Sequence, residues 1–131
     1  MYGALLDYPQ LVAEALRRFP VCGAFKTVGK AFPGSESLWH YGGSFFWVRG
    51  EDAKRVVDRV DRTWFGAESF PGLHWRPEHG ACLFGFPHGN LYLRGTWEQQ
   101  VLPDWRRFQE RNALKLSRDG VCPVPDFWTS F

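Results

Sequence analysis

The sequence predicts an α+β fold: a small, mostly antiparallel sheet with three to four helices on one face. Three observations predict it. Residues 11–19 and 53–60 carry apolar side chains at the i, i+3, i+4 spacing of amphipathic helices. Short aromatic and β-branched runs, bounded by Gly and Pro, alternate with these segments and read as strands. The length of 131 residues suits a single domain. That domain is expected over 1–118, with 119–131, which holds Pro123 and Pro125, as an extended C-terminal tail.

The elements follow in order. Pro9 suits the first turn of a helix, Leu11, Val12, Ala15, Leu16 and Phe19 form its apolar stripe, and Pro20 ends it. Residues 21–37, with Gly23, Gly29, Pro33 and Gly34, read as a short strand and a loop. Residues 38–49 are the clearest strand, and Gly42-Gly43 inside it predict a bulge or a close approach to the backbone. A helix is expected over 51–62, where Ala53, Val56, Val57 and Val60 follow the i, i+3, i+4, i+7 pattern, with Glu51 and Asp52 favoured by the dipole in its first turn. Residues 63–80 are dense in Gly, Pro and aromatics and read as a structured loop. Strands follow over 81–86 and 90–94. Thr96 and Gln99 have capping-box spacing for a helix that Pro103 interrupts, and a last helix over 104–116 buries Trp105, Phe108 and Leu114.

Composition excludes several function classes. A net charge of +2 is too small for a general nucleic-acid surface. No apolar run reaches the ~18 residues of a membrane span. Asp7 and Glu14 interrupt the N-terminal apolar run, so it does not read as a secretory signal. Three scattered cysteines, with no Cys-x-x-Cys pair, point to a reducing compartment, and the expected location is cytoplasmic. Twelve Phe, seven Trp and four Tyr against one Met mean that the core is built largely from rings, which also stack on sugars and bases.

Two stretches could carry chemistry. In the first, 40–49, the residues His40, Tyr41, Gly42, Gly43 and Trp47 can bring backbone and a ring against a flat ligand; a kinked core strand accounts for them equally well. In the second, 64–72, Glu68 is a lone acid among Trp64, Phe65 and Phe70. An apolar setting favours the protonatable carboxyl of a general base, and a loop cap or Arg partner is the alternative. His74, His79, Cys82 and His88 fall close together but match no zinc-ligand spacing, so no metal site is expected. Arg55, Arg59 and Arg62 alternate with acids along one helix, as on a solvated, salt-bridged face. Cys22 and Cys82 lie in apolar contexts and are expected to be buried.

Taken together, His-Tyr-Gly-Gly with its aromatic strand, a helix of about a dozen residues, and Trp-Phe-Gly-Ala-Glu resemble the C-terminal half of a GT-A-type nucleotide-sugar glycosyltransferase. Residues 40–47 fit the H-[FY]-x-G-x-[FW]-[FW]-W stretch of some bacterial families of that kind, and 64–68 fit their aromatic-x-A-E motif. The resemblance spans roughly 20–110. It implies that Glu68 takes the general-base position of inverting members. It also implies that His40, Tyr41, Gly42, Gly43, Trp47 and Trp64 shape the sugar side of the site. The Asp-x-Asp motif and Gly-rich phosphate loop of such enzymes have no counterpart here. The resemblance therefore implies a truncated or partner-dependent transferase, with Mn²⁺ or Mg²⁺ required only where a partner completes a nucleotide-sugar site. Saccharides and nucleotide sugars are the expected ligands. A non-catalytic carbohydrate-binding module, or an aromatic-rich domain that self-associates or binds a partner chain, are the alternatives.

Overall fold

The computed structural model describes residues 6–30, 32–42, 45–56, 62, 66–84 and 93–118, with side chains as far as residue 110. Helix α1 (Pro9–Arg18) starts at Pro9, whose missing N–H and fixed φ suit a first turn, and buries Leu11, Val12 and Ala15. Phe19 takes an extended conformation ahead of Pro20 and ends it.

The chain then enters β1 (Val21–Ala24), which is buried along its whole length. It bends at Phe25, whose φ of 53° lies in the left-handed region, and continues as β2 (Lys26–Val28). A bulky residue there costs about 1–2 kcal/mol. The bend is held on both sides: Phe25 N–H donates to Phe84 O at 2.7 Å, and Gly42 N–H donates to Phe25 O at 2.9 Å. Strands β3 (Trp39–Tyr41) and β4 (Phe46–Val48) return antiparallel along β2 and β1. The two lines of chain form one bent hairpin; Gly43 and Ser44, between β3 and β4, lie outside the described residues. Helix α2 (Gly50–Val56) follows, with Glu51 and Asp52 in its first turn. The remainder of the helix expected to 62 lies outside the described helical residues.

Residues 63–80 correct the sequence expectation. In place of a loop, Gly66–His74 forms a helix, α3, with Pro71 inside it, and a 3₁₀ turn (Pro77–His79) leads into β5 (Gly80–Phe84). Pro71 and Gly72 disfavour a helix by about 3 and 1 kcal/mol in isolation, and tertiary packing of α3 outweighs them. β5 lies parallel to β1, giving the order β4-β1-β5, while β2 and β3 make a second, two-stranded sheet. Two of the three pairings are antiparallel.

The strand expected over 90–94 is also corrected at its end, because Arg94 opens a short helical turn, α4 (Arg94–Thr96); residues 90–92 are outside the described set. Thr96 is inside that turn and caps nothing. The chain then widens into a π-turn (Trp97–Val101) and continues as α5 (Leu102–Arg118), straight through Pro103. The π-turn explains why Pro103 does not break the helix. Leu102 N–H reaches back five residues to Trp97 O, and the extra residue shifts the carbonyls that the proline ring would strike. The expected burial of Leu114 and the tail 119–131 lie outside the described side chains.

Strand alternation divides the core in two. Cys22, Ala24, Ala81 and Leu83 face α1 and α5 and pack with Leu11, Ala15, Val101 and Phe108. Val21 faces the other way, into a cluster with Trp39 and Tyr41 that Phe46, Val48 and Trp75 complete. Helices α1 and α5 cover one face, and α3 joins the aromatic cluster on the other. On that side Gly23 and Gly80 make room for rings. A Cβ on Gly23 would stand 2.8 Å from the Tyr41 ring, and one on Gly80 would strike Trp39.

Candidate functional site

The two stretches singled out in the sequence meet where α3 lies against β3. Gly72 allows the contact: a Cβ there would collide with the backbone oxygen of Trp39 and with Ser37 Oγ, which donates to that same oxygen. A column of rings then runs from one stretch to the other. Trp39 and Tyr41 meet edge to face at 5.2 Å, Tyr41 stacks on Phe46 at 6.1 Å, and Phe46 stacks on Phe70 at 6.0 Å with 13° between planes. Phe70 meets His74 at 4.6 Å. Trp39 also ties the two segments, donating from Nε1 to Trp75 O at 2.7 Å.

Glu68 sits in the first turn of α3 and is half-buried, where the helix dipole favours its charge. Beside it, Ser69 Oγ is buried without a hydrogen-bond partner among the described residues. His40 is half-buried on β3, its Nδ1 3.1 Å from Gly29 O. Since a carbonyl can only accept, this bond requires the Nδ1–H tautomer. Tyr41 is fully enclosed and its hydroxyl donates to Ala81 O at 2.8 Å. Burial pushes the Tyr41 phenol well above its ordinary range. Gly42 is half-buried and uses its N–H on Phe25. Trp47 is 43% exposed and stands opposite Cys22, so it shares the α1 face of the sheet, away from Phe46 and α3. Gly43 and Trp64 lie outside the described residues. The structure thus brings Tyr41 and the Glu68 helix into one unit and sets Trp47 on the other side of it.

Sequence reasoning passed over Phe46, Phe70 and His74, which form the link between the two stretches. Their signal was present as aromatic density inside both, but density alone does not say which ring turns inward.

Lys26 is the other unexpected residue, 1% exposed at the start of β2. Its ammonium donates to Pro77 O at 2.5 Å and Gly80 O at 2.8 Å and lies 5.4 Å from the Trp39 ring. Burial lowers its pKa by disfavouring the charged form. Cys22 and Cys82 are buried thiols outside any disulfide, and strand register points them to opposite faces of the sheet. Burial raises both, Cys22 to about 12. Among the described residues no group of three His, Cys, Asp or Glu side chains could hold a metal ion. His74 and His79 sit on α3 and the 3₁₀ turn, while His88 is outside the described set. No described helix is long and apolar enough to cross a membrane. Comparison with protein families, with curated proteins and with solved structures finds no match to this chain.

Proposed function

We propose that this chain is a saccharide-handling domain related to the nucleotide-sugar glycosyltransferases of the GT-A kind, and that the β3–α3 unit is its acceptor side. The observation that carries this reading is the ring column from Tyr41 through Phe46 to Phe70, which joins the His-Tyr-Gly-Gly strand to the helix bearing Ala67-Glu68. Two segments that resemble one family's paired motifs are neighbours in space as well as in order.

In this reading Glu68 takes the proton of an acceptor hydroxyl as its oxygen attacks the anomeric carbon of the donor. The bond from that carbon to the nucleotide phosphate breaks, and the electron pair leaves with the diphosphate. The half-buried rings of Phe46 and Phe70 offer a platform for the sugar's C–H face. Trp47, on the opposite side of the sheet, has no part in it. The nucleotide is held by a partner or a further half, and a divalent ion belongs there.

Intrinsic tryptophan fluorescence tests this. The chain is titrated with UDP-, GDP- and dTDP-sugars and with free saccharides, with and without Mn²⁺. Saturable quenching by a nucleotide sugar or an acceptor saccharide is expected. Glu68→Gln, which keeps shape and removes the base, is expected to bind normally and to abolish transfer in a reconstituted system. Silence across the panel, or unchanged transfer by Glu68→Gln, overturns the reading.

A further inference from the structure

The α1 side of the molecule holds a cavity of about 290 Å³ that the β3–α3 unit does not use. Phe84 and Val101, at 3% and 2% exposure, form its floor. Half-buried Trp97 and Trp105 line its walls, and exposed Asp7 and Gln109 stand at the rim. Trp97 and Val101 both come from the π-turn, an irregularity that recurs at functional positions. Concave, mostly apolar space with a few convergent polar groups is the usual form of a small-molecule site.

Size and chemistry narrow the ligand. At about 290 Å³ the space stands at the lower end of small-molecule sites, about 300–1,000 Å³, which suits a ligand of one ring. A wholly apolar ligand would leave the Asp7 carboxylate and the Gln109 amide at the rim unused. Neither Asp7 nor Gln109 has a side-chain partner among the described residues. A cation cage needs ring faces converging on one point. Here one face of Trp105 is stacked on Phe108 at 5.2 Å and 17°, and Phe84 meets Trp105 edge to face at 5.1 Å and 78°. A sugar ring has an apolar C–H face for an indole and a rim of hydroxyls. Asp7 accepts from such hydroxyls, and the Gln109 amide both donates and accepts.

We infer that this cavity binds a single neutral monosaccharide unit, free or terminal on a glycan, with its C–H face against the part of the Trp97 and Trp105 side chains that lines the space and with Asp7 and Gln109 on adjacent hydroxyls. The inference shares a ligand class with the reading above but rests on other residues, on the opposite face of the sheet.

Saturation-transfer NMR on the full chain tests it, with methyl glycosides of glucose, galactose, mannose and N-acetylglucosamine and with tetramethylammonium as a cation probe. Transfer to the ring protons of at least one glycoside is expected. Asp7→Ala and Gln109→Ala, both at exposed positions, should each weaken that binding about tenfold without changing the melting temperature. Absence of transfer from every glycoside overturns the inference, as does binding that both rim variants retain, or binding of tetramethylammonium alone. Because Trp97 and Trp105 line this cavity, the tryptophan titration is repeated on Asp7→Ala: quenching that this variant retains belongs to the β3–α3 unit, and quenching that it loses belongs here, so the two readings fail separately.

Discussion

At the scale of single residues, burial governs the titration of Cys22, Cys82, Tyr41 and Lys26. An unfolded thiol releases its proton near pH 8.5, but Cys22 in the folded chain holds its proton to about 12. Between those values the folded state binds more protons than the unfolded one, so stability falls as pH rises. Cys82 and Tyr41, both raised by burial, act in the same direction. Lys26 opposes them: its folded pKa is lowered, so the unfolded chain binds the extra proton and stability rises towards the ordinary lysine value. Tyr8, also raised by burial, joins the first set, and since Cys22 alone acts from about pH 8.5 to about 12, net alkaline destabilisation is expected above about pH 9. Urea melts across that range should show it. Cys22→Ala should flatten the fall by about 1.4 kcal/mol per pH unit, the weight of one proton. A slope unchanged in that variant would mean that the thiol is not shielded.

Among the elements, α3 depends on one missing methyl group. Alanine normally improves on glycine in a helix by about 1 kcal/mol. At Gly72 the added Cβ meets the Trp39 carbonyl, which is backbone and cannot swing aside, so Gly72→Ala should cost about 1–3 kcal/mol instead. Gly95→Ala, where nothing lies within 4 Å, should be neutral or mildly stabilising. Equal melting temperatures for the two variants would contradict the close packing of α3 on β3. Legibility follows the same division. Helix α1 could be read because Pro9, the apolar stripe and Pro20 are local signals; the strand expected over 38–49 is present as two short strands, β3 and β4, in different sheets. Helix α3 could not be read, since Pro71 and Gly72 argue against it locally and only its distant partners favour it. The π-turn was equally hidden, because its value lies in sparing Pro103 rather than in any residue of its own.

For the whole molecule, the α+β class and small sheet were legible from periodicity, but the division of the core between two faces was not. Which of Phe46 and Trp47 turns towards α3 is decided by a register of one residue, and both are aromatic. The same limit applied to the site: the two stretches were visible, yet their rings could be sorted inward and outward only once β1 had chosen Cys22 to face Trp47. What joins the parts is Lys26, whose ammonium spans from β2 to the 3₁₀ turn and the first residue of β5. An acylating reagent cannot reach that amine while the sheets stay together, whereas Lys30 and Lys54 are exposed throughout. The chain therefore carries its own clock: Lys30 and Lys54 should label at once, and Lys26 only as often as the native molecule breathes open. Mass-spectrometric peptide mapping over time would read that opening rate directly, and Lys26 acylation as fast as Lys30 would show that the amine was never enclosed.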